Sequence, residues 1–262
     1  NIKHADISDL SFSEYKNKVD LLTGGFPCQA FSYAGKKLGF NDTRGTLFYE
    51  FARAVDECKP TICIGENVRG LYSHDKGRTL STICGVLKEV GYKVINPIQI
   101  LKAINYNVPQ KRERVFIVAI RDDINLNYKY PIPNDIIYNL EDALKKGKLY
   151  DSDVPKSDGQ KYNEKKKKIM DLISPGNYWR ELPLDLQKEY LGGSFYLGGG
   201  KTGIARRISW DEPSLTLTCA PAQKQTERCH PEETRPLTVR EYARIQTFPD
   251  DFMFEGSISS KY

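Results

Sequence analysis

The run Leu21-Leu-Thr-Gly-Gly-Phe-Pro-Cys28-Gln-Ala-Phe-Ser32 delivers a thiol onto a tight Gly/Pro turn directly after an apolar strand. This is how a reactive cysteine is displayed: Pro27 fixes the backbone ahead of it and polar Gln29 follows, whereas a structural thiol more often sits inside a hydrophobic run. Alone, the string is compatible with either role. Two further blocks decide for function, Glu66-Asn-Val68 at the end of a second strand and Gln110-Lys-Arg-Glu-Arg114 entering a third. Together they supply a nucleophile, a proton-carrying acid and two cations, the means for covalent catalysis with charge stabilisation. Arg112 and Arg114 are separated by one residue, so on an extended strand both side chains point the same way and form a guanidinium clamp. The alternative for this pair is a surface ion pair with Glu113 or Asp122.

These blocks need strands to carry them, and the first half of the chain alternates strand and helix signals. Val19-Asp-Leu-Leu reads as a short strand. Leu47, Phe48, Phe51, Ala52 and Val55 share one helical face, and Lys59-Pro60 stops that helix. Thr61-Ile-Cys-Ile-Gly is the next strand, with Glu66 at its C-terminal end. Leu80, Ile83, Val86, Leu87 and Val90 predict a second amphipathic helix closed by Gly91, and 92–101 and 115–120 read as further strands. The fold class expected is α/β with a mostly parallel sheet, in which ligand sites lie beyond the strand C-termini, where Cys28 and Glu66 both fall.

After Arg121 the rhythm breaks into prolines, glycines, charge runs and Tyr/Asn-rich stretches up to about Thr234. A second, smaller irregular lobe is expected there. The run Lys165-Lys-Lys-Lys168 is either a solvated face or a phosphate contact. Gly198-Gly-Gly-Lys-Thr-Gly203 lacks the Gly-to-Lys spacing and preceding strand of a nucleotide-binding loop, and a flexible backbone with Lys201, Arg206 and Arg207 suits a DNA groove better.

Composition bounds the classes. With 262 residues, 39% hydrophobic and 11% aromatic, the chain can bury one sizeable core or a core plus a lobe, and no run is long and apolar enough to span a bilayer. Six cysteines without close-paired spacing predict neither a metal site nor a disulfide scaffold, and reduced thiols in a cytosol fit best. A net charge of +5 suits a polyanionic partner without identifying one.

Read together with Arg235-Pro-Leu-Thr-Val-Arg-Glu-Tyr-Ala-Arg-Ile-Gln-Thr-Phe-Pro249, these blocks strongly resemble the cytosine-C5 DNA methyltransferase family, including bacterial restriction-modification enzymes. The resemblance implies a partial Rossmann-like methyltransferase sheet over 1–120, a target-recognition domain over 121–234, and a helix and loop over 235–262 returning toward the catalytic domain. It implies transfer of a methyl group from S-adenosylmethionine to C5 of a cytosine flipped out of double-stranded DNA, protecting a specific sequence in a restriction system of the bacterial cytoplasm. Cys28 would add to C6, Glu66 would serve N3, Arg112 would hold the loop or a phosphate, and Arg114 would contact the cytosine. Phe26, Gln29, Ser32, Arg44, Thr46, Asn67, Val68, Lys201, Arg206 and Arg207 would contact DNA, Asn67 and Val68 also fixing the acid's loop, with 31–46 as the mobile active-site loop. The apolar and acidic positions Asp6, Ile7, Pro27 and Leu47 would belong to the cofactor site, Asp6 being equally readable as a helix N-cap.

The family's Gly-rich loop and its final Asn-containing motif are missing, so both ends look cut. A fragment, a split subunit completed by a second chain, or loss of segments would each explain this. The expectation is weak cofactor binding and poor turnover by this chain alone, with an exposed sheet edge that promotes association. Two rival functions are a tRNA cytosine-C5 methyltransferase, whose Pro-Pro-Cys and Cys-Phe-Thr strings do not occur here, and a non-catalytic DNA-binding subunit, which would need no Cys28, Glu66 and Arg114 together.

Overall fold

The computed structural model describes residues 2–27, 46–197 and 202–262. Tertiary contacts divide the chain into two compact units, Asn1–Leu101 with Glu113–Ile132, and Lys102–Arg112 with Pro133–Tyr262.

The first unit is a sheet with helices. Strand β1 is Leu21–Gly25, helix α1 Leu47–Cys58, β2 Ile62–Val68, α2 Arg78–Glu89, β3 Tyr92–Val94 and β4 Gln99–Lys102. The long strand β6, Glu113–Arg121, follows the short β5, Gln110–Lys111. Thr46 caps α1, its Oγ1 accepting the Tyr49 N–H at 3.1 Å, and Lys59 ends the helix in the left-handed region at φ 51°. The strand order is β1-β2-β6-β3, with β4 also paired to β6. Strand β1 is parallel to β2, while β2 and β3 are both antiparallel to β6, so β1, β2 and β3 run in one sense and β6 is reversed. The expected α/β class is present, and the sheet is mixed because β6 inserts backwards between two like-directed strands. The apparent single strand over 92–101 is two, β3 and β4.

The core of this unit lies between the sheet and the two helices. Phe26, Phe48, Phe51, Val55, Cys63, Ile83, Val86 and Leu87 form one buried cluster. Leu47, placed by periodicity on the same face, is instead 43% exposed, because it is the first residue of α1 and has no preceding turn to pack beneath. The aromatic centre explains the glycines of β1 and β2. A Cβ on Gly24 would lie 2.5 Å from Phe51 Cδ2, and one on Gly65 would lie 3.2 Å from Phe26 Cε1.

The second unit builds two small cores from short helices: α3 Leu140–Leu144, α4 Glu164–Asp171, α5 Leu184–Leu191 and α6 Val239–Ile245. Strand β5 pairs in parallel with β7, Ser214–Leu215. Met170, Ile173, Trp179, Leu191 and Ala205 form one core, and Leu140, Leu144, Leu217, Leu237, Tyr242 and Ile245 the other. Buried polar groups substitute for regular strands. Glu227 is fully buried and pairs with Lys166 at 2.5 Å, so one lysine of the 165–168 run points inward from α4. Residues 235–262 belong to this unit: α6 packs on α3 in the second core, and Tyr262 donates to the Leu237 carbonyl at 2.7 Å. The boundaries drawn from sequence at 120 and 234 are therefore not those of the compact units. No helix among the described residues is long and apolar enough to cross a membrane.

Gly24→Ala is expected to destabilise the protein by about 1–3 kcal/mol through overpacking against Phe51. Gly85→Ala, at an exposed α2 position where a Cβ meets nothing within 4 Å, should stabilise by about 0.5–1 kcal/mol. Urea midpoints of the two variants check the contrast.

Candidate active site at the ends of strands β1 and β2

Strand alternation assigns opposite jobs to neighbouring residues of β2. Burial runs half-buried, buried, half-buried along Ile62–Val68, so Cys63, Gly65 and Asn67 face the core while Ile64, Glu66 and Val68 face the open side. The parallel register sets Gly25, the last residue of β1, beside Glu66. In the antiparallel register Glu66 opposes Phe116 and Val68 opposes Arg114, which makes Glu66 and Arg114 diagonal neighbours on the open face. Their side chains meet, Arg114 Nε to Glu66 Oε1, at 2.7 Å. A Cβ on Gly25 would lie only 3.4 Å from Glu66 Oε2.

The pair is anchored from behind. Arg114 Nη1 donates to the Glu113 carbonyl at 2.8 Å, and the Glu113 carboxylate pairs with Arg69 at 2.7 Å. A cavity of about 590 Å³ opens beside Glu66 on the same face, walled by Ile64, Phe116, Val118, Tyr128 and Tyr130 among others. The two tyrosines meet edge to face at 5.3 Å, and Tyr130 donates to the Phe116 carbonyl at 2.8 Å. Both fall in the stretch expected as the irregular lobe, and the structure places them in the first unit, where Tyr130 is bonded to β6. The dry pocket around Glu66 that proton donation calls for is not what the structure has: its side chain is 36% exposed and ion-paired.

Behind the site, Phe26 is 8% exposed and packs on Phe48 and Phe51 with ring centroids 5.1 and 5.5 Å away. Its side chain is therefore a core anchor and not the DNA contact read from sequence. Asn67 is 2% exposed and its Nδ2 donates to the Phe26 carbonyl at 2.8 Å, so it too is turned away from a substrate. Val68 remains 44% exposed beside Arg114. Arg112 lies between β5 and β6, outside both strands. Thr46 is the N-cap of α1.

Asp6 caps a single 3₁₀ turn, Ile7–Asp9, its Oδ1 accepting from Ser8 N at 2.9 Å and Ser8 Oγ at 2.6 Å. Those bonds hold its carboxyl below the ordinary value. Arg53 of α1 donates to the Ile7 carbonyl at 2.8 Å, so this turn is fastened to the helix that begins at Leu47. Asp6 Oδ2 has no hydrogen bond among the described residues, and Pro27 and Leu47 are exposed.

In the second unit Arg207 is 5% exposed and its guanidinium is spent on the carbonyls of Met170, Ile173 and His230 and on Thr234 Oγ1. It holds the lobe together and has nothing left for DNA. Arg206 is half-buried over the Tyr178 ring at 5.5 Å. Cys28, Gln29, Ser32, Arg44 and Lys201 lie outside the described residues.

The family model for C-5 cytosine-specific DNA methylase matches residues 1–262. The chain is 65% identical to Type II methyltransferase M.Eco47II of Escherichia coli and 59% identical to Type II methyltransferase M.PspPI of Psychrobacter, in each case over its whole length and 63% of the relative's. Against Type II methyltransferase M.Sau96I of Staphylococcus aureus it is 52% identical over 94% of this chain and 56% of that one. It thus spans a little under two thirds of these relatives. Among solved structures, a putative DNA modification methyltransferase from an Escherichia coli prophage aligns over 98% of the chain and 78% of its own, with a TM-score of 0.57 and 22% identity, a likeness of fold.

The described thiols divide by burial. Desolvation pushes Cys63 up to about 12 and Cys229 up to about 11, while Cys219 is exposed. At pH 8 a thiol at about 12 is ionised in only ~1 molecule in 10,000, so it is inert to alkylation. Iodoacetamide at pH 8 followed by peptide mass mapping should modify Cys219 and leave Cys63 and Cys229 untouched until the protein unfolds; comparable rates at all three would contradict the burial.

Proposed function

The chain belongs to the C-5 cytosine-specific DNA methylase family, and on that premise we propose that it carries the catalytic and base-recognition machinery of a DNA (cytosine-5-)-methyltransferase of a restriction-modification system, acting on double-stranded DNA in the cytoplasm. The observation that carries the reading is the Glu66–Arg114 pair, set by strand register at the end of β2 beside the exit of β1, three residues before Cys28.

C5 of cytosine is a poor nucleophile and C6 is electron-poor, so a thiolate must activate the ring. Cys28 adds to C6, forming a C–S bond, and the electron pair displaced from the ring is taken up at N3, to which Glu66 donates once its carboxyl has taken up a proton. C5 becomes carbanion-like and reacts. N3 then returns its proton to Glu66, and loss of the C5 proton to solvent expels the Cys28 thiolate and restores the ring. Arg114 holds one oxygen of the Glu66 carboxyl group and is a fixed cation beside the developing negative charge. Such a cation also favours the thiolate form of a neighbouring cysteine.

S-adenosylmethionine, when bound, supplies the electrophilic methyl group. The residues present fit it: Asp6 keeps one carboxylate oxygen for an exocyclic amine, and Ile7, Pro27 and Leu47 supply apolar surface near the start of α1. The second unit, with Arg206 and the segment around Lys201, is the part that reads the DNA. Because the reacting carbon is stacked inside duplex DNA, the target nucleotide must be turned out before the thiol reaches it.

Transfer of a labelled methyl group from S-adenosylmethionine to duplex DNA tests the reading, with Glu66→Gln and Arg114→Ala expected to lower turnover by roughly 10²- to 10³-fold. Methylation of tRNA in place of duplex DNA, or turnover unchanged in both variants, would contradict it.

A further inference from the structure

We infer that Asn67 is a positioning residue that fixes the backbone at Phe26, from which the chain leads into Cys28, relative to Glu66; this rests on the thiol–acid reading above. Asn67 follows Glu66 in β2, so its side chain leaves the opposite, core-facing side of the strand. There Nδ2 donates to the Phe26 carbonyl at 2.8 Å and Oδ1 accepts the Val68 N–H at 2.8 Å. The first bond crosses to the chain just beyond β1, two residues before Cys28. The second braces the backbone directly after the acid's own strand position.

Backbone pairing cannot do this work, because the β1–β2 register ends at Gly25 and Glu66. Beyond that pair the side-chain amide extends the tie by one residue. The Phe26 ring is clamped against Phe48 and Phe51, its carbonyl is held by Asn67, and Pro27 has a restricted φ. The chain therefore enters Cys28 with both preceding residues constrained, while the same amide is covalently next to Glu66.

The residue type is dictated by the two bonds. A donor atom and a separate acceptor atom, aimed at different partners from one short side chain, is an amide requirement that an ionised Asp, an Ala or the single oxygen of Ser does not meet. At 2% exposure water does not replace a lost partner. Asn67 touches no substrate in this arrangement, so it acts through Cys28 and Glu66.

The test reads the electrostatic coupling between thiol and acid without requiring turnover. The rate of Cys28 alkylation by iodoacetamide is followed against pH by peptide mass spectrometry in the wild-type protein, Glu66→Gln, Asn67→Ala, Asn67→Asp and the two doubles with Glu66→Gln. A nearby carboxylate disfavours the thiolate, so Glu66→Gln should lower the alkylation midpoint by roughly 0.5–1 pH unit in the wild-type background. In Asn67→Ala that shift is expected to fall to a third or less. Asn67→Asp keeps the acceptor for Val68, loses the donor for Phe26 and is nearly isosteric, so it carries the test if the alanine variant does not melt cooperatively. Its added charge cancels when the shift is taken within its own background.

A purely structural role would lower the melting temperature and leave the coupling intact. A full-sized Glu66→Gln shift in both Asn67 backgrounds would overturn the inference alone. Absence of any shift in the wild-type background would instead overturn the thiol–acid reading beneath it, and the inference with it.

Discussion

The alternation of β2 is the constraint on which the site depends. One strand presents Glu66 to the open face and Asn67 to the core face, and neither placement is adjustable, because a one-residue slip would bury the carboxylate and expose the amide. The register on both sides is held by backbone pairing, five residue pairs with β1 and seven with β6. Glu66 thus inherits its neighbours, Gly25 on one side and the Phe116–Arg114 diagonal on the other. The ion pair with Arg114 follows from the sheet and requires no special loop.

The aromatic core beneath extends that order to the turn. Phe26 would be an ordinary core residue were it not the last anchored side chain before Pro27 and Cys28. Glycines at 24 and 65 let Phe26 and Phe51 approach the backbone of β1 and β2 more closely than any side chain would allow. In the second unit the same stabilising task falls to buried polar groups. Lys166 with Glu227, Arg207 with five carbonyl and hydroxyl partners, and Arg244 with Asp250 at 2.6 Å knit a lobe that has few strands. Breaking one partner of such a group leaves a buried charge unpaired, so these positions tolerate change poorly.

Much of this was legible in the residues. Helices α1 and α2 followed from apolar periodicity and their stop signals, and Glu66 and Arg114 from their place at a strand end and a strand start. The reversal of β6 was not legible, since a β-branched run does not state its direction. Phe26, Asn67 and Arg207 were read as DNA contacts because motif membership does not say which face a side chain leaves; burial, a property of the whole fold, decides it. Tyr128 and Tyr130 sit in a segment that is irregular as its composition says; its place against β6 is set by tertiary contacts that no local pattern encodes.

A duplex oligonucleotide carrying 5-fluorocytosine tests the central claim most directly, because fluorine at C5 cannot leave as a proton does and the enzyme–DNA bond is trapped. Incubated with the protein and S-adenosylmethionine, it should give a stable covalent adduct whose peptide maps to Cys28, and none with Cys28→Ala. An adduct that survives Cys28→Ala undiminished, or that maps to another residue, would contradict the account.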